Sequence, residues 1–420
     1  MKTLSFVATA IVVCALSFKV NSQVELKQVI VLNEGPWGGP VTVGSYNPQT
    51  KAYLNFDTIS ARFATDVIVD SGFIYVAADT LLVKYDANTL EKNAQQTVMG
   101  IRELTLWRNQ ILVTRGDIGY LPSYFQSYDK NTLNLIYELG NLSGDAAEVK
   151  TLDDTAYIAV NDFGTMGKLA IIDLQNQVLN REIDLGPDGF NPEAVRIEGN
   201  RVITVNSMAY TNSSVTDLDP ANASFQTTVL NTSANCGASA TAIGNVYFQV
   251  YGEKNIGIFN IYNKTVMDTL YINRNVYGLA VDPVNGLFYA GITDYFSYGK
   301  VLIYDFYGDV QDSFDVNINP GTFAFDVREN VGLNDFMAGR SNVSIHPNPV
   351  TRGRNLRITN LYEYTNLKFA LLDVFGKVVK RIEIDGNNAE LPLDGLAPGL
   401  FFYRVIKEDG IFSAGKIVIE

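Results

Sequence analysis

Short apolar runs recur along this chain in a fixed order. From about Phe63 to Phe325, an apolar strand, a tight turn and a second apolar strand lead into a variable loop. A third strand then ends near an acid, and a polar turn opens a fourth strand. Val67, Leu104, Val149, Val195, Ala240, Leu279 and Phe323 mark successive first strands, spaced 37 to 46 residues apart. Four strands every ~40–45 residues is the period of a propeller blade. Long amphipathic helical patterns are absent beyond the first residues.

The turns carry the chemistry that tight hairpins need. Asp70-Ser71-Gly72, Glu198-Gly199-Asn200, Ile243-Gly244-Asn245 and Val284-Asn285-Gly286 offer residues that tolerate positive φ. The third strand closes on Tyr85-Asp86, Tyr128-Asp129, Ile172-Asp173 or Tyr304-Asp305. Six units are complete and a seventh is split. Gly321–Asp326 matches a first strand with nothing after it, while Gln28–Leu32, Thr42–Tyr46 and Ala52–Asp57 read as strands two to four without a first. Joining the two ends completes a blade and closes the ring, leaving no exposed sheet edge between blades. The pattern therefore predicts an all-β chain, a seven-bladed β-propeller followed by a small Ig-like β-sandwich.

The expected organisation has four parts. Residues 1–22 read as a secretory signal, with Lys2 as its positive charge and Phe6–Phe18 as an apolar stretch too short to span a membrane comfortably. Residues 23–330 form the propeller, 331–340 a polar, Gly-containing linker, and 341–420 a sandwich of about seven short strands.

Composition and charge narrow the partners. Residues 23–340 hold 20 Lys and Arg against 36 Asp and Glu, whereas residues 341–420 hold 10 against 9. An acidic propeller repels nucleic acid and anionic membrane surfaces. Once residues 1–22 are removed only Cys236 remains, so no intramolecular disulfide forms and stability rests on packing and ring closure.

The strand–turn–Asp module resembles the YVTN (YncE-like) seven-bladed propellers. The Asn33-Glu34-Gly35 segment is similar to one near the N-terminus of secreted bacterial members. Residues 341–420 resemble the C-terminal sorting domain (type A) of type IX secretion cargo. The matching features are Pro347-Asn348-Pro349, the Asp373–Gly376 turn, Leu396-Ala397-Pro398-Gly399 and the closing Gly415-Lys416-Ile417-Val418. This resemblance implies passage through the secretion machinery to the outer surface of a Gram-negative cell, or release from it, with no transmembrane span in the mature chain. Some similar surface propellers capture cobalamin for an outer-membrane transporter, which makes such a transporter a candidate partner.

Candidate chemistry follows from what the propeller lacks and from where its loops fall. The only histidine, His346, lies in the tail, so the propeller has no imidazole base or His metal ligand. The expectation is a non-enzymatic protein with no catalytic residues. Strand order puts the second-to-third loops and the blade-to-blade connections on one face. Trp37, Tyr120, Tyr124, Phe163, Tyr210, Tyr251, Tyr295, Phe296 and Tyr298 lie on those loops and can stack on a ligand or pack neighbouring loops. Asp66, Glu103, Glu148 and Glu193 begin first strands in four consecutive blades and converge on the channel axis. Two such charges ~8 Å apart repel by roughly 2 kcal/mol at an effective dielectric of 20. Ca²⁺, the nearby Arg62, Arg102 and Arg274, or hydrogen bonds to the next blade's backbone are the candidates for offsetting that repulsion. Three functions remain open: binding of a small molecule, glycan or peptide on the loop face; an adhesion or protein–protein scaffold; and a carboxylate- or Tyr-dependent lyase or glycosidase.

Overall fold

The computed structural model describes residues 23–207, 212–232, 234–250, 252–330, 344–359, 367–373, 377–384, 388–407 and 410–420. The expected signal (1–22), the linker (331–340), Tyr210, Tyr251, the Cys236 side chain and most of the Asp373–Gly376 turn lie outside the described residues. The chain divides into two compact units, one of them Val24–Arg328 and the other carrying the C-terminal strands. Among the described residues no helix is long and apolar enough to cross a membrane.

The larger unit consists of seven four-stranded antiparallel sheets. Blade 1 is Ala64–Asp70, Phe73–Ala78, Leu81–Asp86 and Lys92–Thr97. Blade 2 is Ile101–Trp107, Gln110–Arg115, Phe125–Asp129 and Leu135–Leu139, and blade 3 is Ala146–Leu152, Thr155–Val160, Lys168–Asp173 and Val178–Asp184. Blade 4 is Pro192–Glu198, Arg201–Asn206, Ser213–Asp219 and Ser224–Leu230. Blade 5 is Ala234–Ala242, Asn245–Val250, Ile256–Asn260 and Thr265–Leu270, and blade 6 is Val276–Val281, Phe288–Ile292, Lys300–Tyr304 and Val310–Asp315. Blade 7 draws Pro320–Asn330 from the end of the unit and Gln23–Asn33, Val41–Asn47 and Ala52–Ile59 from its start.

Burial explains the arrangement. The second strands, such as Phe73–Ala78 and Thr155–Val160, are apolar on both faces because each is covered by a blade on either side. The fourth strands, such as Lys92–Thr97, are largely exposed and polar. The inner strands of blades 1 to 6 stand side by side in chain order. Blade 7 closes the ring through two apolar clusters. Val29, Val31 and Tyr46 pack on Tyr289, Ile303 and Phe314 of blade 6, and Ile30, Leu32 and Val43 pack on Val67, Ile74 and Val76 of blade 1. Tyr46 stacks on Phe314 with centroids 3.9 Å apart and planes 4° apart, a pair worth about 1 kcal/mol beyond its buried area.

The acids that close the third strands are turn caps. Asp86 accepts the Asn88 and Thr89 N–H groups, and Asp129 accepts those of Asn131 and Thr132. These backbone donors hold both carboxyls below their ordinary range. The repeating Tyr-Asp signal is thus local turn chemistry.

The C-terminal unit places a three-stranded sheet (Ser344–His346, Asn355–Thr359, Ala389–Pro392) against a four-stranded one (Leu367–Leu372, Val378–Ile384, Gly399–Lys407, Gly410–Ile419). Leu356, Ile358 and Leu391 from the first share a core with Phe369, Leu371 and Val405 from the second. Asn348 ties the final strand down. Its amide donates to Lys416 O at 2.8 Å and its carbonyl accepts Val418 N–H at 3.0 Å. His346 is exposed on this unit.

Candidate functional site

Two places in the propeller gather chemistry: the inner ring, where the first-strand acids point, and the loop face. The first strands of blades 1 to 6 each carry a register shift near their start, at Ala64/Asp66, Ile101/Leu104, Ala146/Val149, Pro192/Ala194, Ala234/Ser239 and Val276/Gly278. A bulge re-aims the side chain beside it, and in blades 1 to 4 that side chain is Asp66, Glu103, Glu148 or Glu193.

The structure brings Asp66, Glu103 and Glu148 together and supplies its own cations. Lys150 Nζ lies 2.6 Å from Glu148 Oε1, and Arg196 pairs with Glu148 Oε2. Asp66 accepts Leu104 N–H of blade 2 at 2.9 Å, and Glu148 accepts Val195 N–H of blade 4 at 3.0 Å. Arg196 reaches onward to Ser239 O of blade 5 at 2.9 Å. The Glu103 carboxyl hydrogen-bonds Asp66. Burial, then the charges of Asp66 and Glu148, push Glu103 well above the usual carboxyl range. Burial would raise Glu148 too, but Arg196 and Lys150 outweigh it and hold it down. Burial would lower Lys150, yet the three carboxyls keep its ammonium charged. Burial raises Asp66 as well, against the pull of Lys150 and the Leu104 N–H, so three buried acids face two cations, Lys150 and Arg196.

Of the candidates for offsetting the acids' repulsion, hydrogen bonds to the next blade's backbone are present at Asp66 and Glu148. Lys150 stands where a cation would be needed, and among the described residues no group of three or more His, Cys, Asp or Glu is placed to hold a metal ion. Glu193 accepts from Asn191 Nδ2 at 3.3 Å. The arginines expected to offset the acids are engaged elsewhere. Arg62 forms a two-pronged pair with Asp79 at 2.7 and 2.6 Å, Arg102 pairs with Asp117 at 3.1 Å, and Arg274 donates to Asn273 O at 2.9 Å. The sequence did carry a signal for Lys150: in Ala146-Ala147-Glu148-Val149-Lys150 it lies two residues from Glu148, on the same strand face.

On the loop face, the structure separates the predicted aromatics into sectors. Tyr120 of blade 2 and Phe163 of blade 3 are exposed on adjacent blades, while Tyr124 is partly buried against the core between them. Trp37 of blade 7 and Tyr295, Phe296 and Tyr298 of blade 6 are exposed on the other adjacent pair. Phe163 and Tyr295 have φ of 58° and 71°, a backbone region bulky residues rarely adopt.

The sector of blades 6 and 7 has a polar floor that the sequence reading did not include. Tyr277, on the inner strand of blade 6, donates its hydroxyl to the Glu34 carboxylate. The Tyr277 ring meets Tyr295 edge to face, with centroids 5.9 Å apart. Glu34 N–H donates to Asn319 O at 2.9 Å, and Asn319 Nδ2 donates to Gly35 O at 2.9 Å. Thr293 Oγ1 donates to Asn319 Oδ1 at 2.6 Å and accepts Tyr295 N–H at 2.8 Å, which fixes the aromatic loop to the same network. Gly35 has φ +84°, and a Cβ there would lie 2.1 Å from Pro40 O, so the tight return of the Trp37 loop requires glycine. Burial raises the Glu34 carboxyl above its usual range.

Seven such four-stranded sheets, closed on themselves through blade 7, make the larger unit a β-propeller. Residues 344–420 match the family of secretion system C-terminal sorting domains, which marks the chain for type IX export and a secreted or cell-surface location. No curated protein matches the chain. Among solved structures, hydrazine synthase from Kuenenia stuttgartiensis is similar with a TM-score of 0.51 and 17% identity, over 62% of this chain and 88% of that one. The computationally designed Ika8 protein is similar with a TM-score of 0.50 and 12% identity, over 77% of this chain and 92% of that one. The extracellular domain of a one-component system from B. thetaiotaomicron has a TM-score of 0.49 and 11% identity, over 94% of this chain and 57% of that one. The first two likenesses concern fold alone.

Proposed function

We propose that this protein is a secreted or surface-held binding propeller of the YVTN/YncE-like type. It takes a small molecule, glycan or peptide on the loop face, without catalysing a reaction, in the sector of blades 6 and 7. The observation that carries the reading is the Glu34–Tyr277–Tyr295 chain of contacts, which ties together the two loops that bear the exposed rings of Trp37, Phe296 and Tyr298. Exposed rings on loops fixed to a rigid scaffold are recognition chemistry. A non-catalytic role is supported by the sequence, whose one histidine is in the tail. The inner acids support it as well, since their polar atoms join blade to blade.

The test uses the chain's own reporter. Of its two tryptophans, Trp107 is buried and Trp37 is fully exposed. Titration of oligosaccharides, a corrinoid and short peptides should change the Trp37 fluorescence for one of these classes, and Trp37→Phe should remove the change. Silence across all three would refute the reading.

A further inference from the structure

The blade 6 and 7 sector presents hydrogen-bond acceptors and negative charge, with few donors. Its two loops, residues 34–40 and 293–299, contain Glu34 and Asp294 and no Lys, Arg or His. Asp294 is occupied within its own loop, accepting the Phe296 and Ser297 N–H groups and the Ser297 hydroxyl. Those donors hold its carboxyl at about 2. Glu34 is different. Three enclosed carboxylates of the propeller have a cation beside them: Glu148 has Lys150 and Arg196, Asp217 has Arg201 and Lys264, and Asp326 has Arg328; two others, Asp145 and Asp282, are met by N–H donors. Glu34 is half-buried and, among the described residues, has no Lys or Arg within ion-pair distance. Two basic residues beside these loops are engaged elsewhere: Arg62, whose backbone lies against Gly39, pairs with Asp79, and Lys300 pairs with Asp315.

An independent observation points the same way. Among the described residues, the buried side-chain atoms without a partner are Asn33 Oδ1, Asn161 Oδ1, Asn191 Oδ1, Asn255 Oδ1 and the hydroxyls of Tyr137 and Thr232. The four amide oxygens are acceptors, and of them Asn33 alone belongs to the blade 6 and 7 sector. Asn33, wholly buried, immediately precedes Glu34. An acceptor left unmet beside Glu34 fits an incoming group rich in N–H donors. The propeller's excess of acids over bases draws cations toward it at long range.

We infer that the ligand of this sector is an organic cation: its ammonium group is held by Glu34, and its apolar body lies on the exposed rings of Trp37, Phe296 and Tyr298. Aromatic faces and a carboxylate together favour such a ligand, because ring quadrupole and carboxylate charge attract the same ammonium. This inference rests on the binding reading above and adds the sign of the ligand's charge.

The experiment compares two probes of one shape, benzylammonium and benzyl alcohol, titrated against the full chain with Trp37 fluorescence as readout. A neutral oligosaccharide is run as a third arm. The expected result is that benzylammonium binds at least about tenfold tighter than the alcohol. The preference should disappear in Glu34→Gln, which keeps an acceptor for the Tyr277 hydroxyl. It should also shrink at 0.5 M NaCl through screening, a check that needs no variant. Equal affinity for the two probes, or a preference unchanged by both Glu34→Gln and salt, overturns the charge assignment and leaves loop-face binding standing. A response to the oligosaccharide alone has the same meaning. Silence from all three probes overturns both.

Discussion

The Gln28 side-chain amide donates to Asp326 Oδ2 at 2.8 Å, joining two residues 298 positions apart in the chain. The same amide donates to Ala87 O of blade 1 at 2.6 Å, and Gln28 Oε1 accepts the Ser45 hydroxyl at 2.6 Å. One buried side chain thus fastens the two ends of the unit to each other and to the first blade. Gln28→Ala leaves these partners unmet in a buried site, and each such loss costs about 1–3 kcal/mol. Denaturant titration should show the propeller transition falling by roughly 2–4 kcal/mol. A midpoint unchanged from wild type would mean that closure depends on apolar packing alone.

The inner cluster gives a pH prediction with a definite sign. Glu103 binds its proton more tightly in the folded state than in the unfolded chain, because it is buried beside Asp66 and Glu148. Folding stability from this group therefore declines as pH rises from the ordinary carboxyl range toward the raised folded value. Glu103→Gln supplies a permanent donor for Asp66 and removes that slope. The gap in stability between the variant and wild type should widen in the variant's favour from pH 5 to pH 8. A gap that stays constant would show that Glu103 carries no extra proton.

Lys150 should matter more than its partial exposure suggests. Lys150→Met removes one of the two cations facing Glu148 and leaves Asp66 and Glu103 with reduced compensation. Breaking a buried pair from one side costs about 3–5 kcal/mol. Because Lys150 keeps 31% of its side-chain surface accessible, a loss near 2 kcal/mol is expected after solvent screening. The loss should be smaller at pH 5, where the carboxyls can take up protons. Equal losses at pH 5 and pH 8 would contradict the charge-balance account.

The exposed rings should be dispensable for folding. Trp37→Ala and Phe296→Ala remove side chains that are almost wholly in solvent, and surface changes of this kind stay within about 0.5 kcal/mol. Binding should instead weaken by about tenfold per ring if each contributes ~1.4 kcal/mol to a stacked ligand. A drop in melting temperature of several degrees would show that these rings pack within the protein.

In the C-terminal unit, Asn348 holds the last strand at both its amide nitrogen and its carbonyl oxygen. Asn348→Ala should lower the stability of that unit by about 1–2 kcal/mol while the propeller transition stays in place. Protease digestion monitored by mass would register the change as faster cleavage of the tail.

Much of the fold was legible in the primary structure because its determinants are local and repeat. Val67, Leu104, Val149, Val195, Ala240, Leu279 and Phe323 all fall on first strands, and the split blade joins as the unmatched ends imply. Alternation, hairpin residues and the Asx caps at Asp86 and Asp129 act within a few positions, so counting along the chain finds them. Equivalent placement of Asp66, Glu103, Glu148 and Glu193 was visible for the same reason. Their partners were not. Lys150 and Arg196 reach the acids through bulges and across blade boundaries, and Tyr277 finds Glu34 only because blade 7 is built from both ends of the unit. Charge compensation and the polar network between the loops of blades 6 and 7 depend on offsets between neighbouring sheets, which no period along the chain encodes; only ring closure decided them.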